Sequence, residues 1–177
     1  MRTLFLSLIF FISTYSSFSQ NNYTIVFGNA HLVIQDSVSF WYVPSENTPI
    51  PIGSGYWGKS SFHNSKEGFK IQRWGRYGKP QTYRYYKRKC KKGKWVITTE
   101  KKEVAGYTCI KATGKYNYNK YTVWFSLDLP KYFGPLMLTS LPGTILKSKN
   151  EDTGYSIEAS QVIKGGLPIV DPIVAKK

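Results

Sequence analysis

The side chains that could do chemistry are few and poorly placed for it. Two cysteines, Cys90 and Cys109, and two histidines, His31 and His63, stand among ten carboxylates scattered along 177 residues. Neither histidine has a Cys, Asp or Glu at metal-ligand spacing, so no metal and no cofactor is expected. No two carboxylates suggest a general acid facing a nucleophile, and Glu151-Asp152 beside Gly154 reads as a hairpin turn. There is no G-x-S-x-G elbow, phosphate-binding loop or dinucleotide fingerprint. Cys109 shares a strand face with Lys111, which would lower a thiol pKa, but a cysteine among apolar strand neighbours is expected to be buried and inert. Catalysis has little to stand on, and a non-enzymatic role is expected.

The N-terminus bears on the cysteines. Arg2 precedes an apolar run from Leu4 to Ile12 and a polar segment ending Ser17-Phe18-Ser19-Gln20. That order describes a secretory signal peptide, residues 1–19, cleaved before Gln20. The apolar run falls short of the roughly 20 residues that span a bilayer. Export to the periplasm or beyond would let Cys90 and Cys109 pair as a disulfide. Topology opposes it: if 83–89, 94–101 and 106–113 form a simple meander, the cysteines lie on its first and third strands, too far apart to bridge.

Charge supplies the stronger signal. The net charge is +15, and the proposed signal peptide holds only one of the 25 basic residues. From Arg84 to Lys102, nine residues are basic and only Glu100 is acidic. Arg84, Lys87, Arg88, Lys89, Lys91, Lys92 and Lys94 form a candidate anion patch, interleaved with Tyr83, Tyr85, Tyr86 and Trp95. Such a surface suits an acidic glycan, lipopolysaccharide or an anionic membrane face. Export makes intracellular nucleic acid an improbable partner. The competing reading is an edge hairpin whose Lys91-Lys92-Gly93-Lys94 tip is kept unpaired by its charge. Strand parity separates Tyr86 from Tyr83 and Tyr85, so no continuous stacking platform is expected.

The elements that must hold these residues are strands. Tyr121, Val123, Phe125, Leu127 and Leu129 alternate with Thr122, Trp124, Ser126 and Asp128, the period-two pattern of a half-buried strand. Further strands are expected at 23–27, at 31–43 as one bent or two short strands, weakly within 60–82, and at 83–89, 94–101, 106–113, 145–146 and 155–163. Pro44 to Gly58 reads as a loop, and Pro130 ends the central strand because it cannot donate to a ladder. Leu141-Pro142-Gly143-Thr144 reads as a type II turn, with Gly143 supplying positive φ. No helical stripe persists for three turns. The expectation is an all-β chain: a curved antiparallel sheet or half-barrel in one domain, 20–164, with a long Pro/Gly-rich crossover loop and an extended tail, 165–177.

Gly106-Tyr107-Thr108-Cys109-Ile110-Lys111-Ala112, Trp124-Phe125, Asp128-Leu129-Pro130, Gly134-Pro135 and Leu141-Pro142-Gly143 follow one another in order. In this the chain resembles the GLPGLI family of small exported proteins of Gram-negative bacteria, over residues 95–162. The motif that names the family reads Ser140-Leu141-Pro142-Gly143-Thr144-Ile145 here, so its first Gly and second Leu are replaced. Where family members often carry an Arg between the cysteine and tryptophan strands, this chain has Lys115, Asn117, Asn119 and Lys120. The resemblance implies an exported β-protein and supplies no catalytic residues. A lipoprotein-carrier-like sheet would fit the strand pattern.

Two binding roles follow. Trp124, Tyr132, Phe133, Leu136, Met137, Leu138 and Leu141 could bind an envelope protein or an apolar ligand, or the loop could simply plug the open end of the sheet. Alternatively the basic segment 84–102 binds an anionic surface glycan or lipid.

Overall fold

The computed structural model describes residues 22–43, 60–74 and 84–165. The expected signal peptide, the loop from Pro44 to Gly58, Tyr83 and all but the first residue of the tail lie outside them. The described residues form twelve strands: β1 (Asn22–Phe27), β2 (Ala30–Gln35), β3 (Val38–Tyr42), β4 (Ser60–Asn64), β5 (Phe69–Trp74), β6 (Arg84–Lys89), β7 (Lys94–Val104), β8 (Tyr107–Tyr116), β9 (Asn119–Ser126), β10 (Thr144–Asn150), β11 (Ser156–Glu158) and β12 (Gln161–Lys164). Every pairing is antiparallel, and the strands form two sheets. The first runs β12-β1-β2-β3-β4-β5-β6 and the second β11-β10-β9-β8-β7.

Each strand neighbours the next in the chain except at two corners, where the backbone changes sheets. The corner between β11 and β12 is tight: Ala159 donates to the Leu146 carbonyl in one sheet, and Ser160 donates to the Val26 carbonyl in the other. The corner between β6 and β7 is wider and carries Cys90 to Gly93. Segments 83–89 and 94–101 are therefore not a hairpin, which corrects the expectation drawn from the lysine-rich tip. The expected strand 155–163 is instead two short strands in different sheets, whereas 31–43 takes the two-strand form of its two readings, with a turn at Asp36, which has a positive φ of 51°.

Three apolar clusters hold the sheets. Ile25, Leu32, Ile34 and Trp41 of the first sheet meet Cys109, Leu146, Leu129 and Phe133. Ala112, Val123, Phe125 and Ile145 of the second sheet pack with Leu138 and Leu141. Val33, Phe40, Phe62 and Ile71 belong to a third cluster on the other face of the first sheet. Full burial of each such side chain contributes roughly 1.5–3 kcal/mol.

Residues 127–143 cross over the second sheet between β9 and β10. The crossover is fastened to itself, with Tyr132 N–H donating to the Leu141 carbonyl at 3.0 Å and Ile145 N–H donating to that of Phe133 at 2.9 Å. The Thr144 hydroxyl also donates to the Pro130 carbonyl. Phe133, Leu138 and Leu141 are driven into the two cores, so the segment plugs the space beside the sheets. Gly143 does not take a positive φ; the left-handed residue of the motif is Ser140, at 78°. Glycine is required at 143 because a Cβ there would lie 1.9 Å from the Ser126 carbonyl oxygen.

Candidate functional site

The wide corner opens onto a cavity of about 460 Å³. Its wall begins on β4 and the turn after it, with His63, Ser65 and Gly68. The corner contributes Lys89, Cys90, Lys91 and Lys92, and the crossover closes the far side with Tyr132, Thr139 and Ser140. Three backbone or ring bonds fix this frame: Cys90 N–H to the Gly68 carbonyl at 2.8 Å, Gly93 N–H to Ser140 Oγ at 3.1 Å, and Trp95 Nε1 to the Thr139 carbonyl at 2.9 Å.

A change of character across the first sheet makes this end polar. One cross-strand row reads Tyr23, Ile34, Ser39, His63, Lys70 and Arg88 from β1 to β6. It is apolar where the sheets pack together and cationic where they part. His63 packs edge-on to Phe133, with ring centroids 5.5 Å apart. Burial lowers the His63 pKa to about 4, and the charge of Lys70 adds to the lowering. The imidazole is thus neutral at physiological pH.

Lys70 is 8% exposed. Burial lowers its pKa; Cys90 opposes that, while the charges of Arg88 and Lys91 reinforce it. Among the described residues it forms no ion pair. A buried ammonium without a counter-charge is costly, which makes this end of the sheet a place where an anion would be welcome. Among the described residues no carboxylate lines the cavity, and the adjacent Glu67 is engaged with Asn64.

Both thiols are less acidic than an ordinary cysteine. Cys90 and Cys109 are both free, which corrects the disulfide that the compartment favoured. Cys109 lies wholly buried on β8 in the inter-sheet core, whereas Cys90 lies in the corner against the β4–β5 turn. Burial raises both thiol pKa values, that of Cys109 to about 11, against a smaller lowering of Cys90 by Lys70. Tyr116 is buried as well, its hydroxyl without a hydrogen-bond partner among the described residues, and its pKa is raised by burial first and by Cys90 next. His31 meets the Tyr42 hydroxyl at 3.3 Å, and among the described residues no three His, Cys, Asp or Glu side chains converge as a metal site would require.

The basic patch is divided. Lys89, which the register puts on the Lys87 face of β6, lines the cavity with Lys91 and Lys92. The Lys91 ammonium lies 4.8 Å from the Tyr118 ring centroid, and Arg88 follows Lys70 in its row. Lys87 lies on the opposite face of β6, its ammonium 4.0 Å from the Phe69 ring centroid. Arg84 begins β6, and Lys94 pairs with Lys115 in the second sheet. The apolar candidates are scattered too. Phe133, Leu138 and Leu141 are core residues, Trp124 lies beneath the Lys102 ammonium at 4.8 Å, and Met137 is half-buried. Only Leu136, 42% exposed, and Tyr132, 39% exposed, face outward. Sequence reading missed His63, Lys70 and Ser140 as a group. No local signal marked them, because Phe69-Lys70-Ile71 reads as ordinary strand alternation with the lysine on the outer face.

These features define an all-β protein of two antiparallel sheets joined as a meander, with a cationic cavity at its wider corner. Among solved structures this fold is shared by PNGF-II, seen in space groups P21 and C2. The TM-scores are 0.60 and 0.59, each at 21% sequence identity. The likeness covers 85% of this chain and 28% of PNGF-II, so the chain spans well under half the length of that protein. No family model and no curated protein matches the chain.

Proposed function

We propose that the protein is an exported, non-enzymatic envelope protein of the GLPGLI type that binds an acidic surface saccharide through the corner between its sheets. The observation that carries this reading is that, among the described residues, Lys89, Lys91 and Lys92 line a cavity that no carboxylate lines. Export is supported by the sequence from Arg2 to Gln20, and the family likeness by the ordered motifs from Gly106 to Gly143. The apolar-ligand reading is weaker, because Phe133, Leu138 and Leu141 are consumed by the cores.

Heparin chromatography of the secreted chain tests the proposal. Retention should fall steeply with salt, as it does when several cations each release a counter-ion. Replacing Lys89, Lys91 and Lys92 by Gln should lower the eluting salt far more than the same change at Lys101, Lys115 and Lys120. Equal losses from the two triple variants would reduce the effect to net charge and sink the reading.

A further inference from the structure

We infer that the cavity is a binding site for a single terminal oxyanion group, such as the phosphate, sulfate or carboxylate that ends an acidic sugar, with Lys70 supplying the charge behind its wall. The inference deepens the saccharide reading: surface lysines attract a polyanion, but a recess selects the group that enters it.

Several observations on this one site converge. Its volume lies within the roughly 300–1,000 Å³ typical of small-ligand pockets. The charges around it are one-sided, because the lining lysines are joined by Lys70, and the Arg88 and Lys91 charges already bear on that ammonium. Among the described lining residues, the serine and threonine hydroxyls are committed unequally. Ser65 donates to the Ser37 carbonyl and Thr139 to that of Tyr132, whereas Ser140 Oγ only accepts, from Gly93 N–H. Its proton is available to a ligand oxygen. Tyr132, 39% exposed, lines the cavity with the Lys131 ammonium 5.4 Å from its ring centroid, which adds a further cation beside an acidic sugar. An oxyanion here would offset the desolvation of Lys70 and hydrogen-bond to Ser140, and the sugar body would remain at the mouth.

Cys90 provides a local reporter, since it lines the cavity while Cys109 is fully buried and silent. Labelling of Cys90 by N-ethylmaleimide is followed by mass spectrometry in sodium chloride, phosphate, sulfate, glucose or glucose 6-phosphate, at matched ionic strength. Phosphate and sulfate should slow labelling, by about tenfold at ten times their Kd through mass action. Chloride and glucose should not. Glucose 6-phosphate acting at lower concentration than phosphate would point to a sugar end; equal action would point to a free oxyanion. Lys70→Met should lose the protection while eluting from heparin at the wild-type salt.

Protection by chloride equal to that by phosphate would overturn the inference, as would full protection in Lys70→Met. If that variant does not fold, glucose 6-phosphate against glucose on the natural chain decides the matter. Heparin retention without Cys90 protection would remove the oxyanion site and leave the surface reading intact. Protection without retention would do the reverse.

Discussion

At the scale of single residues, the motif Ser140 to Gly143 shows two different reasons for wanting glycine. Ser140 holds a φ of 78°, a conformation that costs a side chain of this kind about 1–2 kcal/mol. Its hydroxyl recovers part of that by accepting from Gly93 N–H, a bond worth roughly 0.5–1.5 kcal/mol. Ser140→Ala keeps the strain and loses the bond, so it should destabilise by about 1 kcal/mol. Ser140→Gly loses both and should stay near the natural stability. Urea unfolding of the two variants checks the difference, and equal stabilities would refute this account. Gly143→Ala places a methyl against the Ser126 carbonyl and should cost several-fold more, on the order of 3 kcal/mol or failure to fold. The sequence marks Gly143 as special but not why, because a clash with a strand seventeen positions away has no local signature. The same applies to Leu136 and Leu138. Both belong to one apolar run, yet only Leu138, 2% exposed, fills a core. Leu138→Ser should cost about 3 kcal/mol or more, and Leu136→Ser less than about 0.5. Thermal melts of the pair would separate them.

At the scale of elements, alternation reveals strands but not the sheet that each one joins. β9 and the Glu151-Asp152 turn were legible because one face of β9 is buried and the turn is polar, but β9 ends at Ser126 and not at Pro130: the chain turns away there and leaves Leu127 56% exposed. β6 and β7 were legible as strands, but nothing in Arg84 to Val104 says that the chain changes sheets at Cys90. That choice rests on distant contacts, the Gly68 carbonyl and the Ser140 hydroxyl, which hold the corner from both sides. Lys70 was hidden for a related reason. β4 is buried at all five positions and Phe69, Lys70 and Ile71 are all buried, so parity cannot tell which face turns inward. Its placement makes a stability prediction. Lys70→Met removes a buried charge and keeps most of the side-chain volume, so it should stabilise the unliganded protein by about 1–2 kcal/mol. Denaturant titration in low-phosphate buffer would show the gain. A loss of stability would mean that Lys70 has a partner that offsets its burial.

At the scale of the whole molecule, the two corners divide the labour between stability and binding. The Ala159-Ser160 corner bonds to both sheets within two residues, while the Cys90–Gly93 corner leaves a space with cations around it. That arrangement has a pH signature through His63. Its folded pKa of about 4 lies below the ordinary 6.5, so between those values the unfolded chain binds a proton that the folded chain refuses. Stability should be fully present above pH 6.5 and fall as the pH drops toward 4, by up to about 3 kcal/mol at 1.36 kcal/mol per pKa unit. Glu158 acts in a lower window. Lys147 holds its carboxylate below the ordinary 4.5, so its small contribution is present above that pH and lost as the pH falls further. Urea unfolding from pH 4.5 to 7 isolates the histidine. His63→Gln should flatten the slope whatever it does to the absolute stability, and saturating phosphate should flatten it in the natural chain, because an oxyanion beside the ring favours the imidazolium. A slope that survives His63→Gln unchanged would place the titrating group elsewhere and remove His63 from the electrostatic frame of the cavity.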